Sequence, residues 1–446
     1  MKKVLIQSIQ VTIFVFGMMW AVSLILDFKL FSAFDTISQA LKDTELTDYA
    51  FNKLRPDPTV DERIVLVNFG ALPRREVAQL LQSISQFKPR VIGMDALYNC
   101  EGGLRDSINC PQLLDTLGNR MLSSAIQEAG NVVLGIKLMQ TDSLSKFDTN
   151  EPDSIEISDP IFSDYAQEGF VSIPTDATYQ DDVKISRTIY PSRVINGRRE
   201  FAFSVRMAMM YDSVKAKKFL ARNKDEEIIN FRGNIEVRHQ LRINNSLKNE
   251  ETSTTNFGTM FFVVDAEDVL TGNVSPELFQ DKVVVMGYLG DYLGEDAWED
   301  KFYTPLNKKL GGRANPDMFG LVVHSNVVAM ILNEDYVDVL ADWQKYLIAV
   351  LVCFLTVALF IIIDEKLPVW YDALSVIIQL FLIGLLMLVI IYMFADYNIK
   401  LELDLTIFII ALVGPCYNIF KSIQNEINKQ LTKRKQRVLN QESELA

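Results

Sequence analysis

Four long apolar segments restrict the possible folds of this chain more than any other feature. They comprise residues 9–26, 345–363, 373–395 and 405–420. Each is close to the roughly 20 residues that a helix needs to cross a bilayer. The sequence therefore predicts four transmembrane helices, with a polar domain at residues 27–344 between the first and the second. The first segment ends in Leu-Asp-Phe-Lys without a small-residue cleavage site, so we expect a retained anchor.

Basic residues near the ends of the apolar segments predict the orientation of the chain. Residues 1–8 contain Lys2 and Lys3. Residues 421–446 form a tail whose basic residues are Lys421, Lys429, Lys433, Arg434, Lys435 and Arg437. Because positive residues favour the cytoplasmic side of a membrane, we expect both termini in the cytoplasm. The domain at residues 27–344 is then extracytoplasmic.

Charge and cysteine content narrow the function and the compartment. The net charge of -13 argues against nucleic-acid binding, because phosphate contacts need clustered Lys and Arg. Cys100 and Cys110 flank a glycine-bearing polar loop of the predicted exported domain. In an oxidising compartment we expect them to form a disulfide. The alternative, a metal pair, has no His or further Cys nearby, since Cys353 and Cys416 lie in apolar segments.

Strand and helix patterns alternate in the domain between the apolar segments. "RIVLVNF" and "RVIGMDALY" have the composition of buried strands and flank the helical pattern "RREVAQLLQSISQF". This β-α-β unit predicts neighbouring parallel strands. Further on, Asn196-Gly197 predicts a hairpin turn, and Asp265 is placed to cap a short helix. "EIINFRG", "TMFFVV" and "DKVVVMGY" predict further strands.

The fold class that these patterns predict is α/β. We expect an exported α/β domain with a mixed sheet, inserted between one N-terminal and three C-terminal transmembrane helices.

Several stretches of this domain resemble one known family. They include "LRPDPTVDERIVLVNFG", "LPRREVAQLLQSISQFKPRVIGMDALY" and "INFRG". The most characteristic block runs from "DAEDVLTG" through "LFQDKVVVMGYLG" and "DKFYTPL" to "GLVVHSNVVAMIL". Together they resemble the CHASE2 domain, an extracytoplasmic sensory module of bacterial membrane proteins. The resemblance implies a sensor in the bacterial inner membrane, and the family's usual arrangement is also one span before the domain and three after it.

Two departures from the family pattern bear on function. The family often has an Asp-x-x-Ser turn and a tryptophan-containing proline motif after the first strand. Here residues 68–74 read Asn-Phe-Gly-Ala-Leu-Pro-Arg, so a ligand contact made by that turn would be lost. Family members also commonly carry a kinase, cyclase or other effector after the last span. The segment after Phe420 is too short for such a domain, so the expected output passes through a separate partner.

Acidic residues near predicted strand ends are the main binding-site candidates. Asp95 ends a strand, where α/β folds place ligand-facing groups, and Asp300 precedes the Thr304-Pro305 pair. If these strand ends meet at one sheet edge, the two carboxylates would share a cleft for a cation or a hydroxylated ligand. The acidic loop Asp291–Asp300 is a candidate for Ca²⁺ or Mg²⁺, which prefer oxygen ligands, although its spacing fits no EF-hand loop. The alternative is that these acids only cap and solvate turns.

Three further residues join the ligand-binding candidates. Arg232, in "NFRG", is expected to pair with Asp95 or Asp300 or to bind an anion. Thr304 belongs to the Thr-Pro motif. His324 lies in an apolar helical pattern, where it is either a buried structural residue or part of a site.

No motif for catalysis or for a cofactor accompanies these candidates. No Gly-x-Ser-x-Gly or similar sequence gives His324 a nucleophile. Gly287-Tyr288-Leu289-Gly290 lacks the Gly-Lys-Ser/Thr of a phosphate loop, and the acids that follow it would repel a phosphate. We therefore expect neither enzymatic activity nor a cofactor.

The sequence supports two hypotheses for function. The first is a membrane receptor or adaptor that recognises an unknown ligand or protein and acts through a partner. The alternative is a structural subunit or docking scaffold of a cell-envelope complex. In the tail, Ile423, Ile427 and Leu431 predict an amphipathic helix. That helix is expected to pair with a second copy, to bind a partner, to lie on anionic lipid or to be plainly solvated.

Overall fold

The chain forms two compact units, an α/β unit and a helical unit. The computed structural model describes residues 2–26, 46–55, 59–99, 115–140, 152–175, 184–235, 261–293, 295, 300–307 and 316–444. The α/β unit is Phe51–Val337, and the helical unit combines Met1–Ala50 with Asp338–Ala446. The predicted disulfide between Cys100 and Cys110 lies outside the described residues.

The helices and strands of the described residues are as follows. The helices are α1 (Lys2–Leu26), α2 (Leu46–Tyr49), α3 (Arg74–Gln86), α4 (Thr116–Ala129), α5 (Pro160–Ser163), α6 (Phe203–Tyr211), α7 (Ser213–Leu220), α8 (Ala266–Leu270), α9 (Gly320–Asn333), α10 (Asp342–Lys366), α11 (Tyr371–Tyr397) and α12 (Asp404–Glu444). The strands are β1 (Ile64–Asn68), β2 (Val91–Met94), β3 (Val132–Met139), β4 (Ser154–Glu156), β5 (Gln167–Phe170), β6 (Thr188–Ile189), β7 (Ser192–Ile195), β8 (Arg198–Phe201), β9 (Glu227–Ile228), β10 (Phe262–Asp265), β11 (Val283–Gly287), β12 (Lys301–Phe302), β13 (Met318–Phe319), β14 (Asp338–Val339) and β15 (Ile399–Lys400).

A mixed sheet forms the centre of the α/β unit. Its strands run in the order β10-β1-β11-β2-β3, and all of these neighbours are parallel. The long strand β3 pairs further with β5, which is parallel, and with β4, which is antiparallel. The predicted α/β class with a mixed sheet is therefore confirmed.

The prediction that β1 and β2 are neighbours is wrong. β11 lies between them, with Val284 paired to Val65 on one side and to Ile92 on the other. All five residues of β11 are buried. A strand that is apolar on both faces is stable where other strands and helices cover it, so β11 takes the central position although it comes late in the chain.

Two layers of helices cover the two faces of the sheet. Met94 of β2 packs with α3, α4 and α8 in one core. The preceding Gly93 faces α6, and a Cβ atom there would lie 2.8 Å from Phe203 Cζ. α9 lies on the same face as α6, since a Cβ atom at Gly287 of β11 would lie 2.7 Å from Leu321 Cδ1. Among the described residues, the next helices of eight or more residues after β2 and β11 are α4 and α9, and they lie on opposite faces of the sheet. In α/β sheets, a crevice for ligands forms where the connections that leave two neighbouring strands go to opposite faces of the sheet. Such a position is called a switch point.

Local predictions in this unit have mixed outcomes. The hairpin turn is present between β7 and β8, with Asn196 and Gly197 at φ of 50° and 80°. Asp265 is the N-cap residue of α8, as predicted, but its side chain makes no capping hydrogen bond. Its carboxylate instead accepts a hydrogen bond of 2.9 Å from Asn68 Nδ2. The predicted strand "EIINFRG" is also mostly wrong, since only Glu227–Ile228 pairs as a strand.

The helical unit contains the predicted four apolar helices. Those long and apolar enough to cross a membrane are Lys3–Ala21, Asp342–Lys366, Tyr371–Tyr397 and Asp404–Lys435. α1, α10 and α12 share a core that includes Val11, Cys353 and Val413. The free thiols Cys353 and Cys416 are buried there.

The fourth apolar helix and the basic tail are one continuous helix. α12 runs from Asp404 to Glu444, so the predicted tail helix is its direct extension. Ile423, Ile427 and Leu431 are each about half exposed, at 47%, 52% and 51%.

Candidate ligand-binding cleft

A cleft of about 280 Å³ opens at the carboxyl edge of the central sheet. Its walls are residues 95–97 after β2, residues 135–137 of β3, Val171 after β5, Tyr288 after β11, and Asp300. We call it the Asp95 cleft. It lies beside the switch point between β2 and β11, so the strand order brings together residues that are far apart in the chain.

Asp95 is fixed in the cleft by the backbone of the sheet. Its N–H donates a hydrogen bond of 2.8 Å to the carbonyl of Met286 in β11. Gly287, the next residue of β11, leaves room for it, since a Cβ atom at Gly287 would lie 3.3 Å from Asp95 Cβ. The sheet thus fixes the backbone and the Cβ atom of Asp95, from which the carboxyl group reaches the cleft.

The Asp95 carboxyl group has no hydrogen-bond donor within the part of the chain that the structure describes. Removal from water, and secondly the charge of Asp300, raise the pKa of Asp95 to about 8. Burial opposes ionisation unless a partner compensates the charge. The structure therefore places at the cleft a carboxyl group that accepts no hydrogen bond from the described residues.

Asp300 lies at the exposed rim of the cleft. It has a positive φ of 57°, and its carbonyl accepts a hydrogen bond of 2.9 Å from the N–H of Gly320 at the start of α9. Removal of its carboxyl group from water raises the pKa of Asp300 to about 6. The positive charge of Lys184 lowers this pKa and so opposes the effect of burial. The two aspartates that the sequence singles out therefore share one cleft.

Sequence reasoning missed three residues that shape the cleft chemically. Lys137 lines it from β3, and Tyr288 lines it from the end of β11. Lys184 acts electrostatically on Asp300, and its carbonyl is held by a hydrogen bond of 2.8 Å from Tyr303 N. Strand-end position could have suggested Tyr288. Lys137 and Lys184 could be found only from the strand order and the tertiary contacts, which carry no short-range signal.

His324 does not line the cleft but supports one of its walls. The side chain is 1% exposed, and its Nε2 lies 3.2 Å from the carbonyl oxygen of Val171. Burial lowers the pKa of His324 to about 4, so the ring is neutral at pH 7. Because a carbonyl oxygen only accepts, the proton is on Nε2. Nδ1 is then a buried acceptor without a partner among the described residues. The imidazole thus positions Val171.

Thr304 contacts Asp317 and does not line the cleft. Its N–H and its Oγ1 donate hydrogen bonds of 2.8 and 2.6 Å to the two carboxylate oxygens of Asp317. Asn307 Nδ2 adds a bond of 3.3 Å. Burial raises the pKa of Asp317 to about 6 although these hydrogen bonds lower it. The Thr-Pro motif is therefore part of a hydrogen-bonded turn.

Arg232 pairs with neither Asp95 nor Asp300, so that predicted pairing is wrong. Its Nη2 lies 2.9 Å from Asp335 Oδ2, in an ion pair at the end of α9. The backbone around it is fixed by Asn326 of α9. Asn326 Oδ1 accepts from the N–H groups of Arg232 and Gly233, at 2.7 and 3.1 Å, and its Nδ2 donates 2.9 Å to the Gly233 carbonyl. This amide replaces the strand partner that "NFRG" lacks.

The acidic loop that follows β11 is tied to the sheet by Asn68. Asn68 Oδ1 accepts a hydrogen bond of 2.9 Å from Leu289 N, and its Nδ2 donates 3.1 Å to the Gly290 carbonyl. Glu295 Oε2 accepts 2.6 Å from Asp291 N. No group of three or more His, Cys, Asp or Glu side chains that could hold a metal is found among the described residues, and Asp296 lies outside them.

Comparison with known proteins identifies one family. The family model described as the CHASE2 domain matches residues 15–360 of the chain. No curated protein and no solved structure gives a match.

Proposed function

The chain belongs to the CHASE2 family of extracellular sensory domains, and we propose that it is a sensory receptor that binds a small ligand in the Asp95 cleft. The observation that carries this proposal is that no described residue donates a hydrogen bond to the carboxyl group of Asp95, in a cleft at the switch point of the sheet. Polar groups left unpaired in a protected cleft cost stability, and a ligand that supplied the missing donor would recover it.

The lining of the cleft defines the ligand chemistry. Asp95 and Asp300 favour a protonated amine or a hydroxyl group, both of which donate hydrogen bonds to carboxylates. Lys137 would accommodate an acidic or polar group on the same ligand, and the ring of Tyr288 would contact its apolar or cationic part. A cleft of about 280 Å³ suits a ligand of the size of an amino acid or a monosaccharide.

Output would pass through the helical unit. We propose that the four apolar helices cross the cytoplasmic membrane with both termini inside, because the basic residues lie at Lys2, Lys3 and in the tail. The receptor would then act through a separate partner and without enzymatic activity of its own. Reporter fusions after residue 137 and after residue 446 test the topology. An exported reporter active only at residue 137 supports it, and activity at residue 446 would contradict it.

Ligand binding can be tested with the purified full-length chain in detergent. Primary amines, amino acids, polyamines and monosaccharides are screened for a rise in melting temperature of the wild-type protein. Asp95→Asn and Asp300→Asn are expected to weaken each positive compound at least about tenfold, the loss of about one charge-assisted hydrogen bond. Amine binding should also strengthen as the pH rises toward 8, because Asp95 then ionises.

Asp291→Asn is the matched control, since Asp291 is exposed in the same loop and does not line the cleft. It should leave the affinity unchanged. Equal loss in Asp291→Asn and Asp95→Asn would show that only the overall charge matters. No binding at all, together with stoichiometric co-purification of envelope proteins from native membranes, would favour the envelope-subunit hypothesis.

A further inference from the structure

The last apolar helix contains a backbone defect in its middle. Pro415 lies inside α12 and has no N–H group, so the carbonyl of Ala411, four residues earlier, receives no hydrogen bond from it. In the hydrocarbon part of a membrane, water is not available to satisfy such a carbonyl. Another part of the protein has to supply the missing donor if α12 is to remain helical across the bilayer.

Gln379 of the neighbouring helix α11 supplies that donor. Its Nε2 donates hydrogen bonds of 2.7 Å to the Ile410 carbonyl and 3.0 Å to the Ala411 carbonyl. The side chain is buried, at 9% exposure, within a strongly apolar helix. A carboxamide has two N–H groups, and both are used on adjacent carbonyls of the defect.

Gly414 makes the space for this contact. A Cβ atom at position 414 would lie 2.8 Å from Gln379 Oε1 and 3.2 Å from Nε2. Any larger residue would therefore push the carboxamide away from α12. Three features of different origin converge on one contact: the proline that removes a donor, the glutamine that replaces it, and the glycine that admits the glutamine.

We propose that Gln379, Gly414 and Pro415 form a joint that fixes the direction of α12 through α11 and passes movements of α11 to the C-terminal part of α12. We call it the 379–415 joint. A helix bends easily at a proline, because the ladder of backbone hydrogen bonds is interrupted there. When a side chain of another helix is bonded to that position, the two helices move together. The joint lies within the helical unit, and it does not depend on any ligand of the Asp95 cleft.

The test measures the position of the tail helix in the full-length protein in lipid nanodiscs. Spin labels carried by genetically encoded non-natural residues are placed at exposed positions 366 in α10 and 429 in α12, and their distance distribution is recorded. The wild type is expected to give one narrow distribution. Gln379→Leu should broaden or shift it, because the Ala411 carbonyl then has no donor from α11.

The double variant Gln379→Leu with Pro415→Ala separates the joint from ordinary packing. Alanine at position 415 restores the intrahelical N–H, so the distribution should become narrow again. If Gln379 only fills space, the effect of leucine is the same whether residue 415 is proline or alanine. Ser375→Ala is the matched control, since Ser375 is a polar residue one turn earlier in α11 whose hydroxyl bonds within its own helix, to the Asp372 carbonyl at 2.9 Å. It should match the wild type.

Gly414→Ala perturbs the same contact from the other side and keeps the test decisive if the leucine variant does not accumulate. Its Cβ atom would displace the carboxamide, so it should broaden the distribution, and Pro415→Ala should again restore it. A wild-type distribution in both Gln379→Leu and Gly414→Ala would overturn the proposal. Failure of Pro415→Ala to restore either variant would overturn it as well.

Discussion

Asp95 and Asp317 lie in the same α/β unit, and burial raises the pKa of both carboxyl groups, yet their surroundings differ. Asp317 accepts hydrogen bonds from Thr304 N, Thr304 Oγ1 and Asn307 Nδ2. Asp95 receives none from the described residues and faces a cleft. The aspartate bonded to the Thr-Pro motif stabilises a turn, whereas the aspartate at the strand end has the surroundings that the proposed ligand site requires.

The largest loss of stability is expected for Asp317→Ala. This change removes three hydrogen bonds and leaves the N–H and hydroxyl of Thr304 without their acceptor, so the free energy of unfolding should fall by about 3 kcal/mol. Thermal unfolding of the full-length protein in detergent measures it. Asp291→Ala, in an exposed loop, should change stability by less than about 0.5 kcal/mol. An Asp317→Ala variant as stable as this control would break the comparison.

Asp95→Asn is expected to act with the opposite sign. The native pKa of Asp95 is about 8, and an unfolded aspartate has a pKa of about 3.9. Between these values the native state holds a proton that the unfolded chain has released, so this group's contribution to stability falls as the pH rises through that window. Asparagine does not ionise, so the variant does not lose stability in this way as the pH rises.

The pH profile of unfolding checks this prediction. Asp95→Asn and wild type should be similarly stable near pH 4. The variant should become more stable than wild type by about 4 kcal/mol at pH 7, since three pH units at about 1.4 kcal/mol each lie between these values. Parallel pH profiles of the two proteins would show that Asp95 ionises in the native state as it does in the unfolded chain.

A smaller effect is expected for the hydroxyl group of Thr304, and it tests whether this residue has a structural role. Thr304→Val keeps the shape of the side chain and the N–H bond to Asp317. It removes the hydroxyl, which donates a hydrogen bond of 2.6 Å to Asp317 and accepts one of 3.3 Å from Leu306 N. The expected loss of stability is about 1 kcal/mol, and ligand binding in the cleft should be unchanged. A loss of binding without a loss of stability would instead assign Thr304 to the ligand site.

The sequence predicts the local elements of this fold better than their arrangement. Strong periodicity identifies β1, α3 and β2, because apolar spacing reflects which faces are buried. That β11 separates β1 from β2 could not be read from the sequence, since the order of strands depends on contacts between residues distant in the chain. The failed strand at "NFRG" has the same origin, as its partner is the side chain of Asn326 and not another strand.

In the candidate site, too, the sequence predicts local features better than contacts between distant residues. A strand-end position was enough to select Asp95, because parallel strands present their carboxyl ends at one edge. It did not distinguish Asp300, which reaches the cleft, from Thr304, which does not, although both belong to one short motif. The sequence does not predict the ion pair of Arg232 with Asp335, because Asp335 becomes its neighbour only through the course of α9.

The most direct test of the central claim is the protonation of Asp95 itself. Infrared spectra of the purified full-length protein at a series of pH values show the C=O stretching band of protonated carboxyl groups, and the difference between wild type and Asp95→Asn isolates Asp95. We predict a band that persists at pH 7 and disappears with a midpoint near 8, unchanged in Asp291→Asn. A band already lost by pH 5 would mean that Asp95 has a solvated or paired carboxylate, and would contradict the assignment of the cleft as a ligand site.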